Sequence, residues 1–279
     1  MHKLNKLKKV VASTSARAAL LFLILMAAMA IFAPFLGTQD PTQLDPSVRL
    51  QPPSAQFWLG TDALGRDLYS RVVYGAQVSF MVGFGVLAIS VFFGVILGSL
   101  AGYFRRLDAV IMRVMDGVMA IPGILLAIAL VSVSGASLTT VLIAIAIPEI
   151  PRMTRLVRGV ILSVRSEPYV EAAMTVGTSA YVILSRHMFP NTFAPLIVQG
   201  TYVFASAVLL EAILSFLGAG IPPEMASWGN IIAEGRLYFQ LIPGIVLYPG
   251  IVLSITILSI NILGDALRDA LDPKLVTRL

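Results

Sequence analysis

Long apolar runs alternate with short polar segments along the chain. A helix needs about 20 mostly apolar residues to cross the hydrocarbon core of a membrane. Six runs approach or reach that length, and they cover residues 18–36, 77–103, 115–134, 138–150, 194–218 and 241–264. The fourth run is short, so we expect its helix to extend toward Val157, past Pro148 and Pro151, which favour a kink. The pattern predicts an all-α membrane protein with six transmembrane helices.

Composition supports this class of protein. Hydrophobic residues make up 57% of the chain and charged residues 13%, whereas soluble domains contain about 25% charged residues. The first apolar run follows lysines at positions 3, 6, 8 and 9, as in a secretory signal peptide. Its length exceeds the h-region of about 7–15 residues in such peptides, so we predict an uncleaved first transmembrane helix.

Basic residues fall mainly on one side of the predicted membrane. Lys and Arg accumulate in cytoplasmic loops. With the N-terminus inside, the cytoplasmic segments hold all but four of the 20 Lys and Arg residues, the exceptions being Arg49, Arg66, Arg71 and Arg236. This asymmetry predicts cytoplasmic termini (1–17 and 265–279), a cytoplasmic loop at 152–193 and an external segment at 37–76. The net charge of +5 therefore reflects membrane topology, and we expect no nucleic-acid partner.

Aromatic residues lie close to the predicted membrane boundaries. Trp58 and Tyr69 belong to the first external segment, and Trp228, Tyr238 and Phe239 lie between the last two spans. Tryptophan and tyrosine are enriched at the headgroup level of membranes. We interpret these residues as interfacial belt positions rather than as a ligand-binding cage.

One face of the second predicted span consists of small residues. Ser90, Gly94, Gly98 and Gly102 are spaced by four, which places them in a line along one helix. Small residues allow helix backbones to approach closely within a membrane. The spacing predicts a tight helix–helix seam, and it leaves open whether the partner helix belongs to this chain or to another.

Residues with catalytic or metal-binding chemistry are scarce. The chain has no Cys, and its two histidines, His2 and His187, are far apart, so we expect no disulfide, metal site or catalytic residue. The pattern G-x-x-x-x-G-K-[ST] is absent, which excludes the phosphate cradle of a P-loop. We therefore expect a protein without enzymatic activity and without a cofactor.

Glu211 is an acid inside the fifth predicted span. Such a residue is costly in a membrane and is by default a functional hypothesis. The alternative is a structural role, in which the carboxyl group pairs with a neighbour or lies near the outer surface. The residues alone leave both roles open.

Residues 169–191, YVEAAMTVGTSAYVILSRHMFPN, predict two short helices in the cytoplasmic loop. Pro168 suits the first turn of the first helix, and Gly177 can adopt the left-handed conformation that ends it. The Thr-Ser pair that follows can cap a second helix, which ends before Pro190. The Glu and Ala side chains suit insertion into a groove of a partner protein, and the alternative is a loop packed on its own helices.

This stretch resembles the EAA loop of permease subunits from binding-protein-dependent ABC importers. The family pattern has Glu-Ala-Ala, a Gly six residues after the Glu and a Pro nineteen residues after it. Those offsets are occupied here by Glu171, Ala172, Ala173, Gly177 and Pro190. His187 and Phe189 replace the common Ile and Leu of the family, and this departure, with Asn191 after the proline, is similar to the dipeptide, oligopeptide and nickel branch.

Three further segments resemble the C-type subunit of that branch. They are WLGTDALGRDLYSRVVYGAQVS (58–79), EAILSFLGAGIPPEMASWGNIIAEGR (211–236) and NILGDALRDALDP (261–273). In the first segment we expect Thr61 or Asp62 to cap a helix and Asp67 to pair with Arg71 at i,i+4. The alternative for Asp62, Arg66 and Asp67 is a contact with the binding protein or the second permease.

The resemblance implies a type I importer transmembrane domain, with a five-helix permease core at 77–264 and a cytoplasmic coupling loop. Such an importer joins two permeases, here as a heterodimer, to two P-loop ATPases and an extracytoplasmic binding protein at a bacterial inner membrane. The solute is implied to be a peptide or a related small molecule. The implied ATPase-coupling residues are Glu171, Ala172, Ala173 and Gly177, with His187, Pro190 and Asn191 shaping the return helix.

An ion-coupled secondary transporter is the main alternative function. It would need buried ionisable groups, and Glu211 is the only acid well inside a predicted span. The series Arg152, Arg155 and Arg158 fits ordinary cytoplasmic charge. The alternative for this series is a contact with acidic groups on an ATPase.

Overall fold

The structure is a computed structural model in which residues 13–271 are described. Helices make up most of this part of the chain. The β-type pairing within residues 13–271 is one isolated bridge, between Thr61 and Asp67. The all-α prediction is confirmed. The α-helices of eight or more residues are α1 (Thr14–Ile31), α2 (Leu68–Tyr103), α3 (Arg105–Met119), α4 (Gly123–Ser134), α5 (Leu138–Arg165), α6 (Pro168–Thr175), α7 (Phe193–Phe216), α8 (Trp228–Gly235) and α9 (Gly244–Leu271).

Four helical segments within residues 13–271 are long and apolar enough to cross a membrane. They are Thr14–Ile31, Leu68–Tyr103, Ala180–Phe216 and Gly244–Leu271. Helices α3 and α4 together would make a fifth segment, although they are bent by 84°. Helix α5 is not among them because charged residues recur along it from Glu149 onward. The prediction of six spans is therefore not confirmed.

Helix α2 begins earlier than the apolar run predicts, at Leu68 rather than at residue 77. Asp67 is its N-cap, and the Oδ2 atom of Asp67 accepts a hydrogen bond of 2.9 Å from the Ser70 backbone N–H. The expectation that Thr61 or Asp62 caps this helix is wrong. With 36 residues and a rise of about 1.5 Å per residue, α2 is about 54 Å long, which exceeds the hydrocarbon thickness of about 30 Å.

The predicted third span, 115–134, is divided between two helices. Helix α3 is amphipathic and carries charged residues such as Asp108 and Asp116, whereas α4 is apolar. Pro122 lies at the bend between them, where its missing N–H and its ring interrupt helical hydrogen bonding. Helix α5, in contrast, continues through Pro148 and Pro151 and ends at Arg165, beyond the expected extension.

The small-residue seam of α2 packs against α5 of the same chain. Gly94 lies so close to Met153 that an added Cβ would overlap the Met153 side chain. A Cβ on Gly98 would stand 2.7 Å from the Cβ of Val157, and one on Gly102 would stand 2.7 Å from that of Ile161. The tight seam is confirmed, and its partner helix is intramolecular.

Helix α8 lies against α2, α7 and α9, beside the N-terminal end of α2. Its first residue, Trp228, is 1% exposed, and the indole N–H donates a hydrogen bond of 3.0 Å to the Val72 carbonyl oxygen. The belt interpretation of Trp228 is therefore wrong, because the ring fills the space between helices. Trp58 differs in being 58% exposed, with its ring centroid 4.8 Å from that of Tyr69.

Candidate functional site

The predicted coupling loop forms a compact elbow, which we define as residues 168–192. Helix α6 opens it with Pro168 in the first turn, as predicted. Val170 on α6 belongs to the same buried apolar cluster as Ile183 and Met188, which lie on the segment that returns from the turn toward α7. These contacts hold the elbow on the helical bundle through its apolar side.

Gly177 makes the turn of the elbow. Its φ angle is +82°, a left-handed conformation that strains residues with a Cβ. The Gly177 N–H donates to the Met174 carbonyl at 3.0 Å and the Thr178 N–H donates to the Ala173 carbonyl at 3.1 Å, which is the hydrogen-bond pair of a Schellman motif. Apart from its chain neighbours, no atom of the described residues lies within 4 Å of the position of an added Cβ. The predicted helix end is confirmed, and backbone conformation alone favours glycine there.

The returning segment differs from the single α-helix predicted to run up to Pro190. It contains one α-turn (Ala180–Val182), a π-helix (Ile183–Met188) and a 3₁₀ turn (Phe189–Thr192) that continues into α7. Pro190 has no backbone N–H to donate, which disturbs helical pairing at this point. Ser179 occupies the N-cap position without a side-chain hydrogen bond.

Asn191 closes the elbow next to the proline. Its Nδ2 atom donates a hydrogen bond of 2.8 Å to the His187 carbonyl oxygen, which also lies 3.4 Å from the Tyr169 hydroxyl oxygen. The rings of Tyr169 and His187 are 6.2 Å apart between centroids. Asn191 and His187 thus join the end of the returning segment to α6.

The outer surface of the elbow presents small and apolar side chains. Glu171 and Ala172 are exposed, and Ala173 is half-buried beneath them. At the tip, Val176 is 85% exposed and Tyr181 is 80% exposed. A carboxylate beside exposed apolar groups on a well-packed base is chemically suited to a groove on another protein.

At the opposite end of α2, on the predicted external side, four charged side chains form a cluster that we call the external cluster, which consists of Asp62, Arg66, Arg71 and Glu234. Arg66 Nε is 2.7 Å from Asp62 Oδ2, and Arg71 Nη1 is 2.6 Å from both Asp62 Oδ2 and Glu234 Oε2. Arg66 also pairs with Glu234. The cluster joins the predicted external segment to α2 and α8. The participation of Glu234 and the pairing of Arg71 with Asp62 were not predicted.

Burial and charge act in opposite directions on Asp62. Burial alone would raise the pKa of its carboxyl group, but the charges of Arg71 and Arg66 and two backbone N–H donors outweigh it and hold the pKa below its ordinary value. Asp62, Arg66 and Asp67 are all buried. The predicted pair between Asp67 and Arg71 is wrong, because Asp67 caps α2 and Arg71 turns to Asp62 and Glu234.

Two glycines allow the external segment to fold over this cluster. Gly60 and Gly65 have φ angles of +82° and +78°. A Cβ on Gly65 would overlap the backbone of Asp45, and one on Gly60 would overlap the carbonyl of Gln51. The G-T-D-x-x-G-R-D motif therefore forms a tight loop whose polar residues serve internal contacts.

Glu211 is fully buried in α7 and connects that helix to α8. Its Oε1 atom accepts hydrogen bonds of 2.8 Å from the hydroxyls of Ser215 and Ser227. Ser227 also caps α8 by accepting from the Asn230 N–H at 3.1 Å. This geometry favours the structural role for Glu211.

A second buried acid, Glu149 in α5, was missed because it stands at the end of a predicted span. Its side chain is 3% exposed and pairs with Arg152 at 3.0 Å. Further along α5, Arg155 pairs with Asp116 at 2.6 Å and Arg158 with Asp108 at 2.5 Å. Each arginine of the series therefore has a carboxylate partner within the chain. The presence of acids and arginines on neighbouring segments of the sequence could have predicted this pairing.

The sequence matches two protein-family models. Residues 72–277 match the binding-protein-dependent transport system inner membrane component. Residues 7–53 match the N-terminal transmembrane domain of oligopeptide transport permease C. The first match covers most of the chain and includes both the elbow and the α2–α5 seam.

Relatives of known name agree with these matches. The chain is 50% identical over 246 residues, 88% of its length and 84% of the relative, to a probable peptide ABC transporter permease protein of Sinorhizobium fredii. It is 45% identical to a dipeptide transport system permease protein of Alkalihalophilus pseudofirmus, with coverages of 88% and 82%. It is 39% identical to a glutathione transport system permease protein of Pectobacterium atrosepticum, with coverages of 92% and 86%. The chain is an integral inner-membrane protein that belongs to the permease family of binding-protein-dependent ABC importers, among the peptide and dipeptide permeases of the C type.

Proposed function

We propose that this chain is one of two different permease subunits of an importer that carries peptides or a related small solute into a bacterial cell. Two ATPase subunits drive the importer, and an external binding protein delivers the solute. Both termini and the elbow face the cytoplasm, and six membrane crossings form half of the pathway. The relatives named for peptide, dipeptide and glutathione transport support this range of solutes.

The elbow supports a mechanical link to the ATPases. Its apolar side is fixed on the bundle by Val170 and Met188, while Glu171, Ala172 and Val176 remain exposed. The Schellman turn at Gly177 keeps these side chains in a defined position. Movement of an ATPase that grips this surface is transmitted directly to α5 and α7, because the elbow is continuous with both helices. ATP binding then shifts the balance between inward-open and outward-open states.

The absence of cysteine permits a direct test of this link. A single cysteine placed at Val176, which is 85% exposed, should cross-link to an ATPase subunit in the assembled, working importer. A cysteine at Val133, which is 89% exposed at the far end of α4, is the matched control and should not. Capture of an ATPase from neither position, or equally from both, would contradict the coupling role.

Uptake assays separate this function from the ion-coupled alternative. Proteoliposomes that contain both permeases but no ATPase should take up no labelled peptide, whereas the complete importer should do so with ATP and binding protein. Uptake that persists without the ATPases, and that responds to a proton or sodium gradient, would support the alternative.

A further inference from the structure

Arg152 was predicted to open the cytoplasmic loop 152–193, but it lies inside helix α5, beside the apolar part of α2. The seam contacts show that α2 and α5 run side by side, so Arg152, the neighbour of Met153, lies near the level of Gly94. Helix α2 carries no charged residue between Arg71 and Arg105. Gly94 is about 9 Å from the middle of this uncharged run, given a rise of about 1.5 Å per residue. With the membrane centred on the run, this level falls inside the hydrocarbon, which extends about 15 Å to each side of its centre.

Arg152 forms one salt bridge, with Glu149, and much of its side chain is exposed. Nη1 is 3.0 and 3.2 Å from the two carboxylate oxygens of Glu149, and Ser206 Oγ from α7 lies 3.3 Å from the same carboxylate. The side chain of Arg152 is nevertheless 56% exposed, whereas that of Glu149 is 3% exposed. Among the described residues, Arg152 makes side-chain hydrogen bonds through Nη1 only, so Nε and Nη2 are available to an acceptor.

A half-exposed guanidinium at this depth is incompatible with lipid tails, because charged groups inside membranes face water-filled cavities or other protein groups. Toward the C-terminal end of α5, Arg155 pairs with Asp116 and Arg158 pairs with Asp108. Together with the pair of Arg152 and Glu149, these ion pairs form a polar strip along α5. A groove of about 1020 Å³ between α1, α2, α7 and α9 is lined almost wholly by apolar side chains such as Phe84 and Phe204. The polar strip, and not this groove, has the chemistry of a pathway for a charged solute.

We propose that Arg152 lines the translocation pathway and binds a carboxylate group of the passing solute, with Glu149 holding the guanidinium in position. This site rests on the proposed import function and deepens it, because it defines the solute as one that carries a carboxylate. A planar guanidinium with two free donors suits a carboxylate, which can accept both at once. An internal salt bridge to Glu149 orients Arg152 and leaves its outward N–H groups unoccupied.

Thiol accessibility tests the location. In the assembled importer, a cysteine at Arg152 should react with a water-soluble sulfonate thiol reagent at least about tenfold faster than a cysteine at Phe92, in line with the exclusion of charge from hydrocarbon. Phe92 is the matched control because it lies at a similar depth and is 61% exposed. Equal rates would overturn the proposal. Loss of the second permease on purification of Arg152→Gln would also overturn it, since Arg152 would then be a subunit contact.

Charge rescue tests the chemistry. The importer with Arg152→Cys should take up a pool of radiolabelled di- and tripeptides about tenfold or more slowly than wild type, the expected loss of one charge-assisted hydrogen bond. Modification with an aminoethyl thiol reagent should restore much of the uptake, whereas a sulfonatoethyl reagent should not. Equal effects of the two reagents would overturn the carboxylate contact. Absence of uptake by the wild-type importer would instead count against the proposed function, while the accessibility result would still stand.

Discussion

Arg71 and Glu234 are 163 positions apart in the sequence, yet the Nη1 atom of Arg71 lies 2.6 Å from the Oε2 atom of Glu234. Arg71 belongs to the first turns of α2, and Glu234 belongs to α8. Asp62 reaches the same Nη1 atom from the external segment at 2.6 Å. One guanidinium group therefore fastens two distant segments of the chain to the outer part of the longest helix.

Removal of this guanidinium should destabilise the protein strongly. Arg71→Ala leaves the buried Asp62 carboxylate with fewer cationic partners, and loss of one member of a buried pair costs about 3–5 kcal/mol. The thermal unfolding of the purified importer should shift to lower temperature. Arg49→Ala is the control, because Arg49 is exposed and bonds a single carbonyl at 2.6 Å. A similar shift in unfolding temperature in both variants would show that the cluster stabilises the protein no more than an exposed arginine does.

Acid should weaken the external cluster through Asp62. Its pKa in the folded protein is lowered, so the stability that it contributes is fully present above the unfolded value of about 3.9 and is lost as the pH falls through the lowered folded value. The difference in unfolding temperature between wild type and Asp62→Asn should stay constant near neutral pH and shrink below about pH 4. A difference that grows on acidification would contradict this sign.

Substitution of Gly94 should separate α2 from α5. Gly94→Ala forces a Cβ into the Met153 side chain, and overpacking of this kind costs about 1–3 kcal/mol. Gly117→Ala in α3 should be neutral or stabilising, by up to about 1 kcal/mol, because within residues 13–271 no atom beyond the local helix backbone lies within 4 Å of the added Cβ. Thermal unfolding of both variants measures the difference, and an unaffected Gly94→Ala would refute the close approach.

Glu211→Gln should retain folding and transport, since the amide oxygen can accept from Ser215 and Ser227 as the carboxylate does. Glu211→Ala should lower the unfolding free energy by about 1–3 kcal/mol, because both buried hydroxyl groups lose an acceptor. Unfolding and ATP-driven uptake are measured for both variants. Loss of uptake in a well-folded Glu211→Gln importer would reveal a proton-transfer role instead.

Gly177 should be needed for coupling rather than for folding. Gly177→Val strains the left-handed turn, since a β-branched residue is disfavoured there, yet it meets no neighbouring atom. ATPase stimulation by loaded binding protein should fall, while Gly177→Asn, whose side chain tolerates this conformation, should be less affected. Gly159→Val is the control, because Gly159 also has open space but lies within helix α5 with ordinary φ. Normal ATPase stimulation in the Gly177→Val importer would show that coupling does not depend on the left-handed turn.

Local patterns predicted part of the architecture well. Helix α7 (Phe193–Phe216) matches the predicted span at 194–218 closely, since a long, mostly apolar run favours one continuous helix. The turn at Gly177 was also predictable, because a glycine that follows a short helical segment readily adopts the left-handed conformation that ends a helix. In the same way, small residues spaced by four indicated the seam, although only the fold identified α5 as its partner.

Other features depend on contacts between distant residues and were beyond a local interpretation. The apolar run predicted that the helix begins at residue 77, but Asp62 and Glu234 neutralise the charge of Arg71 and allow α2 to begin at Leu68. Trp228 resembled an interfacial residue until its position against Val72 became visible. Glu149 lay beside prolines at the edge of an apolar run, and its significance appears only when Ser206 and Arg152 come together around it.

The α2–α5 seam constrains how the two proposed states of the importer could interconvert. With Gly94, Gly98 and Gly102 interlocked against α5, sliding of one helix past the other would drive side chains into backbone, so the pair must move as a rigid body. The flexibility then has to reside elsewhere, at the sharp break between α3 and α4 and in the π-helical and 3₁₀ turns of residues 183–192. We expect these two irregular joints to act as the hinges about which the α2–α5 pair would rotate.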